Sequence, residues 1–178
     1  MIKAAWSAIH VMTFMVLAGC SFSHQVSVQD DFTAEAEDLP RISSTGPVAI
    51  DMQTQKPSGS IELCKAGGRT YYADYGTISD FALSSAGNIL ERNGVEVSDS
   101  AEKRLTIIAL DGTCKTSGLL LNFIMDMTVK TGDGRMKDFS GYQKMMHLPE
   151  RDFALSAATL NVVLGMFSDP EIQQYLKE

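Results

Sequence analysis

The chain has 178 residues, of which 44% are hydrophobic and 21% charged, which gives one ordinary domain enough apolar surface for a core. These proportions are typical neither of a disordered chain nor of a membrane-spanning one. The formal net charge of -7 makes nucleic acid an unfavourable partner, because binding to phosphate backbones depends on Lys and Arg contacts.

Residues 1–19 have the pattern of a secretory signal peptide. Lys3 precedes a short apolar run at residues 9–16, and small residues precede Cys20. The run is shorter than the stretch of about 20 apolar residues that crosses a bilayer. Residues 17–20 resemble a bacterial lipobox, which implies cleavage before Cys20 and acylation of that cysteine with fatty acids such as palmitate. The alternative is an ordinary signal peptide that happens to contain a cysteine.

Residues 20–59 predict a flexible acidic tether between this lipidated cysteine and a folded domain. Proline and glycine recur, no helical or strand period persists, and acidic residues repel one another. A flexible chain of about 40 residues has an r.m.s. reach on the order of 35 Å, enough to hold a domain clear of the lipid headgroups. One short apolar piece, residues 48–50, could pack as an edge strand.

Residues 60–178 predict a single periplasmic domain that opens with a strand and a helix. Residues 61–64 alternate as a short strand, and Gly67 and Gly68 predict a turn. Thr77 is typical of a helix N-cap, and Asn93-Gly94 is typical of a helix end. Between them an apolar stripe recurs at helical spacing, and it consists of Ile78, Phe81, Ala82, Ala86, Ile89 and Leu90.

A meander of three strands follows. Residues 103–110 are apolar on both faces, which favours a central strand, and Asp111-Gly112 predicts a turn. Residues 119–130 place apolar side chains on one face and mostly polar side chains on the other, which predicts a strand with one covered face. Residues 132–134 predict a hairpin turn, and residues 135–146 are polar enough for a strand at or near an edge.

A closing helix completes the predicted domain. A core-facing stripe at helical spacing consists of Phe153, Ala157, Leu160, Leu164 and Phe167. Asp169 is placed to cap a final turn of helix, with Pro170 at its first position. The predicted fold class is therefore α+β, with a mainly antiparallel sheet in the order strand, helix, three-strand meander, helix, and two helices packed on one face.

Two cysteines remain once Cys20 carries the anchor. In an oxidising, exported compartment Cys64 and Cys114 most often form a disulfide, and reduced, buried cysteines are the main alternative. A metal site is disfavoured, because two cysteines without CxxC spacing supply too few ligands. Closing a loop of about 50 residues stabilises a fold by about 4 kcal/mol in the chain-entropy model.

The sequence also contains candidate partner-binding side chains. Tyr71, Tyr72 and Tyr75 form either a binding patch or half-buried tyrosines around a strand end, and the latter is favoured. Tyr142 joins them as a further candidate. Methionine adapts to irregular partners, so Met145 and Met146 are candidates for an exposed patch, whereas core filling explains Met125 and Met127.

No residue pattern indicates catalysis, a metal or a cofactor, so we expect a protein that is not an enzyme. Neither His24 nor His147 lies within a cysteine, serine or carboxylate constellation. Gly67-Gly68 lacks the spacing of a phosphate-binding loop. Residues 132–134 resemble a calcium loop only superficially, because its remaining oxygen ligands are absent.

The order of elements together with the lipobox resembles small outer-membrane lipoproteins of the YajG type. The resemblance covers residues 60–178, and its motifs are residues 93–97, 131–134, 139–142, 160–164 and 168–176. The same order is similar to that of the lipopolysaccharide-assembly lipoprotein and of auxiliary lipoproteins of ABC transporters. The family offers no catalytic residues to carry over, and the pair Cys64 and Cys114 departs from its pattern.

The expected function is that of a non-catalytic adaptor module held by acyl chains in the outer membrane, facing the periplasm. Its partner would be another envelope protein, and homo-oligomers are a further expectation. The edge strand at residues 135–146 could accept a partner strand. Ser21 after the anchor resembles the outer-membrane sorting pattern. The alternative is a carrier or chaperone for a lipid or glycan, with an apolar cavity lined by Phe123, Met125, Leu160 and Leu164.

Overall fold

The computed structural model describes residues 22–28, 39–53, 59–66, 68–117, 120–145 and 151–178. Within these ranges the chain forms β1 (Phe22–Val26), β2 (Val48–Met52), β3 (Ser60–Ala66), β4 (Arg69–Asp74), α1 (Tyr75–Arg92), β5 (Lys103–Ser117), β6 (Leu120–Thr131), β7 (Met136–Met145), α2 (Arg151–Ser168) and α3 (Pro170–Lys177). The predicted α+β class is confirmed. None of these described helices has the length and apolar character needed to cross a membrane.

The strands form two mixed sheets rather than one mainly antiparallel sheet. In the four-stranded sheet the order is β2-β5-β6-β7, and β2 runs parallel to β5. In the three-stranded sheet the order is β1-β4-β3, and β1 runs parallel to β4. Both parallel strands come from residues assigned to the tether; the prediction of a flexible tether is wrong at β1, whereas β2 contains the short apolar piece at residues 48–50 for which an edge strand was proposed. Their pairing partners lie far along the chain, and local periodicity does not reveal them.

The two strands from the tether are part of the core. Val26 and Val48 are fully buried, and β2 forms the edge strand that residues 48–50 predicted. The N–H of Val48 also donates to the Glu96 carbonyl at 2.9 Å, which joins this edge to the segment after α1. Burial of these side chains stabilises the domain by roughly 2 kcal/mol for each valine.

Helix α1 starts three residues before the predicted position. Asp74 is the N-cap, and its carboxylate accepts a hydrogen bond from the Gly76 N–H at 2.8 Å, so the prediction of Thr77 as cap is wrong. The predicted apolar stripe is buried throughout. The helix ends at Asn93-Gly94 as predicted, with Gly94 at φ +75°, a conformation that glycine adopts without strain.

Strand β5 continues through the predicted turn at Asp111-Gly112 to Ser117. Gly112 lies where the three-stranded sheet approaches β5, and a methyl group there would overlap the Leu63 side chain. The glycine therefore permits close packing of two sheets instead of a turn. Cys64 on β3 and Cys114 on β5 form the predicted disulfide, which joins the two sheets.

Helices α1 and α2 pack on one face of the four-stranded sheet, as predicted. The β6 residues 121, 123, 125, 127 and 129 are buried on this face, where α2 packs on β6 and β7 and α1 packs on β2 and α2, and the predicted alternation of this strand is confirmed. At Gly141 helix α2 lies so close to β7 that a methyl group on this glycine would overlap the backbone of Ala158 and Val162. The predicted hairpin turn is also formed, since the Thr131 N–H donates to the Arg135 carbonyl at 2.9 Å.

The predicted stripe of α2 is correct except at its start. Ala157, Leu160 and Phe167 are buried and Leu164 is half-buried, whereas Phe153 is 44% exposed. Phe153 falls on the solvent-facing side of the helix with Asn161, Gly165 and Ser168. The Asp169 cap is confirmed, because its carboxylate accepts from the N–H groups of Glu171 and Ile172 at 2.9 and 3.2 Å.

Candidate partner surface

The structure separates the predicted partner residues into buried and exposed groups. Tyr71, Tyr75 and Met145 are at most 4% exposed, so the prediction that they belong to a partner surface is wrong. Tyr72 is half-buried, and Met146 lies outside the described residues. Tyr142 is 62% exposed. Of the predicted set, Tyr142 is thus the side chain that the structure presents to a partner.

Each buried member has a specific place in the core. Tyr71 lies on β4, a strand that was not predicted, and packs edge-on against Phe123 with ring centroids 5.6 Å apart. His24, which was assigned to the tether, lies on β1 and stacks on Tyr71 at 5.7 Å. The Tyr75 hydroxyl donates to the Asp111 carboxylate at 2.9 Å. These rings fill the space between the two sheets and are not accessible to a partner.

Tyr142 belongs to the uncovered side of the four-stranded sheet, which we call the outer face. Its β6 and β7 members point away from the helices, because side chains alternate along a strand. They are Leu120, Asn122, Ile124, Asp126, Thr128 and Lys130 on β6 and Met136, Asp138, Ser140, Tyr142 and Lys144 on β7. Their burial ranges from half-buried to exposed, in contrast to the buried β6 residues of the inner face.

Cross-strand hydrogen bonds order the outer face. The Thr128 hydroxyl donates to the Asp138 carboxylate at 2.6 Å, and the Ser140 hydroxyl donates to the Asp126 carboxylate. The next pair along the strands is Ile124 and Tyr142. The outer face is thus largely polar, with the exposed ring of Tyr142 between the hydrogen-bonded pair Asp126 and Ser140 and the pair Asn122 and Lys144.

The backbone edge of β7 is partly closed. β7 is an edge strand, as predicted, but the Asn161 side chain on α2 donates to the Tyr142 carbonyl at 3.0 Å. A partner strand added here would have to share or replace this hydrogen bond. Natural sheets protect exposed edges by such covering contacts. The side chains of the outer face are therefore more available to a partner than the backbone edge.

A second polar cluster lies at the far end of the same sheet, where α3 meets β5 and the β6–β7 hairpin. We call it the C-terminal corner, and it consists of Lys103, Asp133, Arg135, Lys137, Asp169, Glu171, Tyr175 and Glu178. The Tyr175 hydroxyl accepts hydrogen bonds from the N–H groups of Arg104 at 2.9 Å and Gly132 at 3.1 Å. The cations of Lys103 and Arg135 lie 5.7 and 5.8 Å from the centre of its ring.

Ion pairs complete this corner. The Lys137 ammonium lies 2.8 Å from the Asp169 carboxylate and 3.1 Å from that of Glu171, and Arg135 lies 2.7 Å from Asp133. Hydrogen bonds from the Arg135 and Thr131 side chains lower the pKa of Asp133 to about 2. Burial alone would raise the pKa of Asp169, but hydrogen bonds from Lys137, Ile172 and Glu171 outweigh it and lower that pKa.

The charged groups of the C-terminal corner contact one another and fasten α3 to the sheet. These charges therefore contribute to the stability of the fold. The sequence revealed only one part of it, the cap at Asp169, because the cap is local. Apart from the Asp133–Arg135 pair within the hairpin, the other contacts join residues that are more than 30 positions apart, such as Lys137 with Asp169, and no sequence signal marks them.

Two cavities stand out among the described residues. One, of about 450 Å³, is an open groove with a largely polar lining that consists of Thr45, Gly46, Pro47, Ser100, Ala101, Glu102, Lys103 and Glu178. The other, of about 10 Å³, has room for about one water molecule. Neither is lined by Phe123, Met125, Leu160 or Leu164, the residues predicted for a ligand cavity. The first three of these are buried in the core.

Among the described residues, no three His, Cys, Asp or Glu side chains gather into a group that could hold a metal ion. Of the two histidines weighed in the sequence, His24 packs on Tyr71, and His147 lies outside the described residues. Asp126 and Asp138 on the outer face accept from hydroxyl groups. These polar groups therefore order the surface on which Tyr142 lies.

Comparison with known proteins yields no family. No protein-family model matches the chain, and no curated protein does. The chain is similar to a Xanthomonas campestris protein of family model DUF330, known from a crystal structure, with 13% sequence identity and a TM-score of 0.45. The likeness covers 86% of this chain and 94% of that one. The fold described above rests on the chain's own contacts.

Proposed function

We propose that this protein is a non-catalytic binding module of the bacterial cell envelope that engages another envelope protein. In this proposal acyl chains on Cys20 hold it in the outer membrane, facing the periplasm, in the manner of the YajG-type lipoproteins that the sequence resembles. The lipobox-like residues 17–20 support the anchor. The outer face of the four-stranded sheet supports the binding role.

The observation that carries the binding role is the exposed ring of Tyr142 on an ordered strand. Large aromatic rings with a polar tip are typical of interface hot spots, because they bury much area and lose little conformational freedom on binding. The β6 pairing and the Asn161 hydrogen bond already fix the backbone under this ring. Little further ordering is needed when a partner binds, which favours affinity.

The surroundings of Tyr142 indicate the chemistry of the partner. The row of hydroxyl and carboxylate groups on the outer face offers hydrogen-bond acceptors and two acidic side chains, Asp126 and Asp138. A complementary surface would place an apolar pocket over Tyr142 and hydrogen-bond donors or basic side chains over the row. We therefore propose a folded protein surface as the ligand of the outer face.

The anchor would act by confinement. Acyl chains keep a protein in a thin layer beside the membrane. Binding of a partner in the same membrane then becomes nearly intramolecular, with effective concentrations that reach the millimolar range. In this protein β1 begins two residues after Cys20, so little chain separates the lipid from the domain. A partner in the same membrane would meet the outer face at this raised concentration.

The binding role is tested by photo-crosslinking in intact cells. A photoreactive aromatic residue replaces Tyr142 in one strain and Asn88, exposed on α1, in a control strain. We expect an envelope protein, or a second copy of this chain, to be captured from position 142 and not from position 88. Equal capture at both positions, or none above background, would contradict the assignment of the outer face.

A matched substitution gives the expected size of the effect. Tyr142→Ala should weaken capture of the partner by about 30-fold, the result of losing about 2 kcal/mol at a hot spot, without changing the stability of the domain. Tyr72→Ala, at a half-buried position, is the control variant. It should lower the stability of the domain and leave capture of the partner unchanged. The two are separated by measuring thermal unfolding of each variant alongside the crosslink yield.

The anchor is tested separately. Growth with labelled palmitate should mark the protein, and Cys20→Ala should abolish both the label and the recovery of the protein with membranes. An unlabelled protein that remains with the membrane in the Cys20→Ala strain would refute lipid anchoring. That result would leave the crosslinking experiment on Tyr142 to decide the binding role independently.

A further inference from the structure

One end of the molecule is built from three parts of the chain that lie far apart in sequence. Leu63 lies against Gly112 and Cys64 is bonded to Cys114, so β3 and β5 advance in the same sense toward their hairpin turns. Tyr71 contacts Phe123 just beyond those turns, on the returning strands β4 and β6. The end of β3, the start of β4, the end of β5 and the start of β6 are therefore neighbours.

The start of β1 and the end of β7 lie at the same place. Phe22 is level with Arg69, the first residue of β4, and Met145 is level with Leu121 near the start of β6. We call this region the anchor end, and its described residues are 22–24, 64–66, 68–71, 114–117, 120–123 and 143–145. It lies opposite the C-terminal corner along the four-stranded sheet.

The anchor end is basic in an acidic protein. The whole chain has 15 Lys and Arg against 22 Asp and Glu. Among the described residues of the anchor end there are the basic side chains of Lys65, Arg69, Lys115 and Lys144, and no Asp or Glu. The nearest acidic group, Glu62, contacts Lys65 at 3.2 Å. Among the described residues, no acidic side chain pairs with the other three.

Phe22, which follows the predicted acylation site Cys20 by two residues, lies at the same end. Two peptide units separate Cys20 from Phe22, so their Cα atoms lie at most about 7 Å apart. Phe22 is beside Arg69 in the sheet, and neighbouring strands lie about 5 Å apart. The Cα atom of Arg69 is thus at most about 12 Å from that of Cys20, between one and two Debye lengths in physiological salt, where the Debye length is roughly 8 Å.

We propose that the anchor end rests on the membrane and that Lys65, Arg69, Lys115 and Lys144 bind anionic phospholipid headgroups there. This inference rests on the proposed lipid anchor and adds the orientation of the domain. A single acyl anchor and a basic surface act together in membrane binding, and each Lys or Arg near an anionic surface contributes about 1 kcal/mol. The C-terminal corner then lies at the end of the domain that is away from the bilayer.

Lysine labelling of the anchored protein tests this orientation. The acylated full chain, purified in detergent, is returned to vesicles of phosphatidylcholine or of phosphatidylcholine mixed with phosphatidylglycerol, and treated with a water-soluble amine reagent. We expect Lys65, Lys115 and Lys144 to react several-fold more slowly in the vesicles that contain phosphatidylglycerol. Lys130 and Lys177, exposed at the far end of the molecule, serve as internal controls and should react equally in both.

Two matched variants show whether charge is the cause. Arg69→Gln with Lys115→Gln removes two charges from the anchor end, and the docked orientation should become about 30-fold less populated, so that Lys144 reacts alike in both vesicles. Lys130→Gln with Lys177→Gln removes the same charge from the other end and should leave Lys144 protected. Added salt should remove the protection in the unaltered protein.

The outcomes separate this inference from the proposed function. An acylated protein whose lysines react uniformly in both kinds of vesicle would overturn the orientation alone and leave the anchor and the outer face unaffected. Equal loss of Lys144 protection in both double variants would likewise overturn the orientation alone. A chain that carries no acyl group on Cys20 would overturn the anchor and this inference together. Mass spectrometry of the purified protein shows whether Cys20 is acylated, and so tells a failure of the anchor from a failure of the orientation.

Discussion

The two ends of the four-stranded sheet are stabilised by different means. At the anchor end the chain is joined by the Cys64–Cys114 disulfide, and its basic side chains have few acidic partners. At the C-terminal corner Arg135 and Lys137 pair with acidic groups, and Tyr175 binds two backbone N–H groups. Charge that is paired within a fold serves stability, whereas charge that is left exposed at an attachment point is available to a ligand.

The disulfide gives the largest expected difference between the two ends. Replacing both Cys64 and Cys114 by serine should lower the free energy of unfolding by about 4 kcal/mol, because the unfolded chain regains the freedom of a loop closed across 50 positions. Urea unfolding of the two proteins measures the difference. Adding reductant should destabilise the unaltered protein alone, and a reductant effect on the double variant would contradict this cause.

Tyr175 should be the most important single side chain of the C-terminal corner. Tyr175→Phe leaves the N–H groups of Arg104 and Gly132 without their acceptor, at a cost of about 2 kcal/mol in the free energy of unfolding. Tyr142→Phe removes the same hydroxyl from an exposed ring and should change stability by less than about 0.5 kcal/mol. Similar losses in both variants would show that the corner does not depend on this acceptor.

A smaller effect is expected at Asp169, where the cap and the ion pair are distinct contributions. Asp169→Ala removes both and should lower stability by about 1 kcal/mol. Asp169→Asn keeps the cap to Glu171 and Ile172 and loses the charge near Lys137, so it should recover most of that loss. If Asn were as destabilising as Ala, the ion pair rather than the cap would hold α3.

The smallest effect concerns pH and Asp133. Because the Arg135 and Thr131 side chains lower its pKa from 3.8 to about 2, the carboxylate stabilises the fold above pH 3.8, and the contribution is lost as pH falls through about 2. Unfolding of the protein and of Asp133→Asn, compared across this range, should differ at neutral pH and converge in acid. A difference that persists at the lowest pH would contradict the role of the ionised group.

Local patterns predicted much of the fold. The α1 stripe, the Gly94 helix end, the hairpin turn at residues 132–134 and the alternation of β6 all depend on residues within a few positions of one another. Each was visible because helical and strand periods leave a direct trace in the sequence. The Asp169 cap is of the same kind.

Predictions that depended on distant partners were incomplete. β1 was assigned to a tether and β2 was foreseen only as a short edge strand within it, because each is a short strand stabilised by a parallel neighbour elsewhere in the chain. Gly112 was assigned to a turn, although it serves the contact of β5 with Leu63. Tyr71 and Tyr75 were weighed as a surface patch, and the sheet-to-sheet packing that buries them has no signature in local sequence.

The sequence by itself determined the anchor-like cysteine, the α+β class, the cysteine pair and the order of the later elements, since these follow from local chemistry and from counting thiols. Only the tertiary structure decided that Tyr142 is exposed, that the chain after Cys20 joins a sheet at once, and that four basic side chains gather beside it. The physical reason is that burial and clustering depend on which distant strands become neighbours, and that pairing is settled by the packing of the whole core.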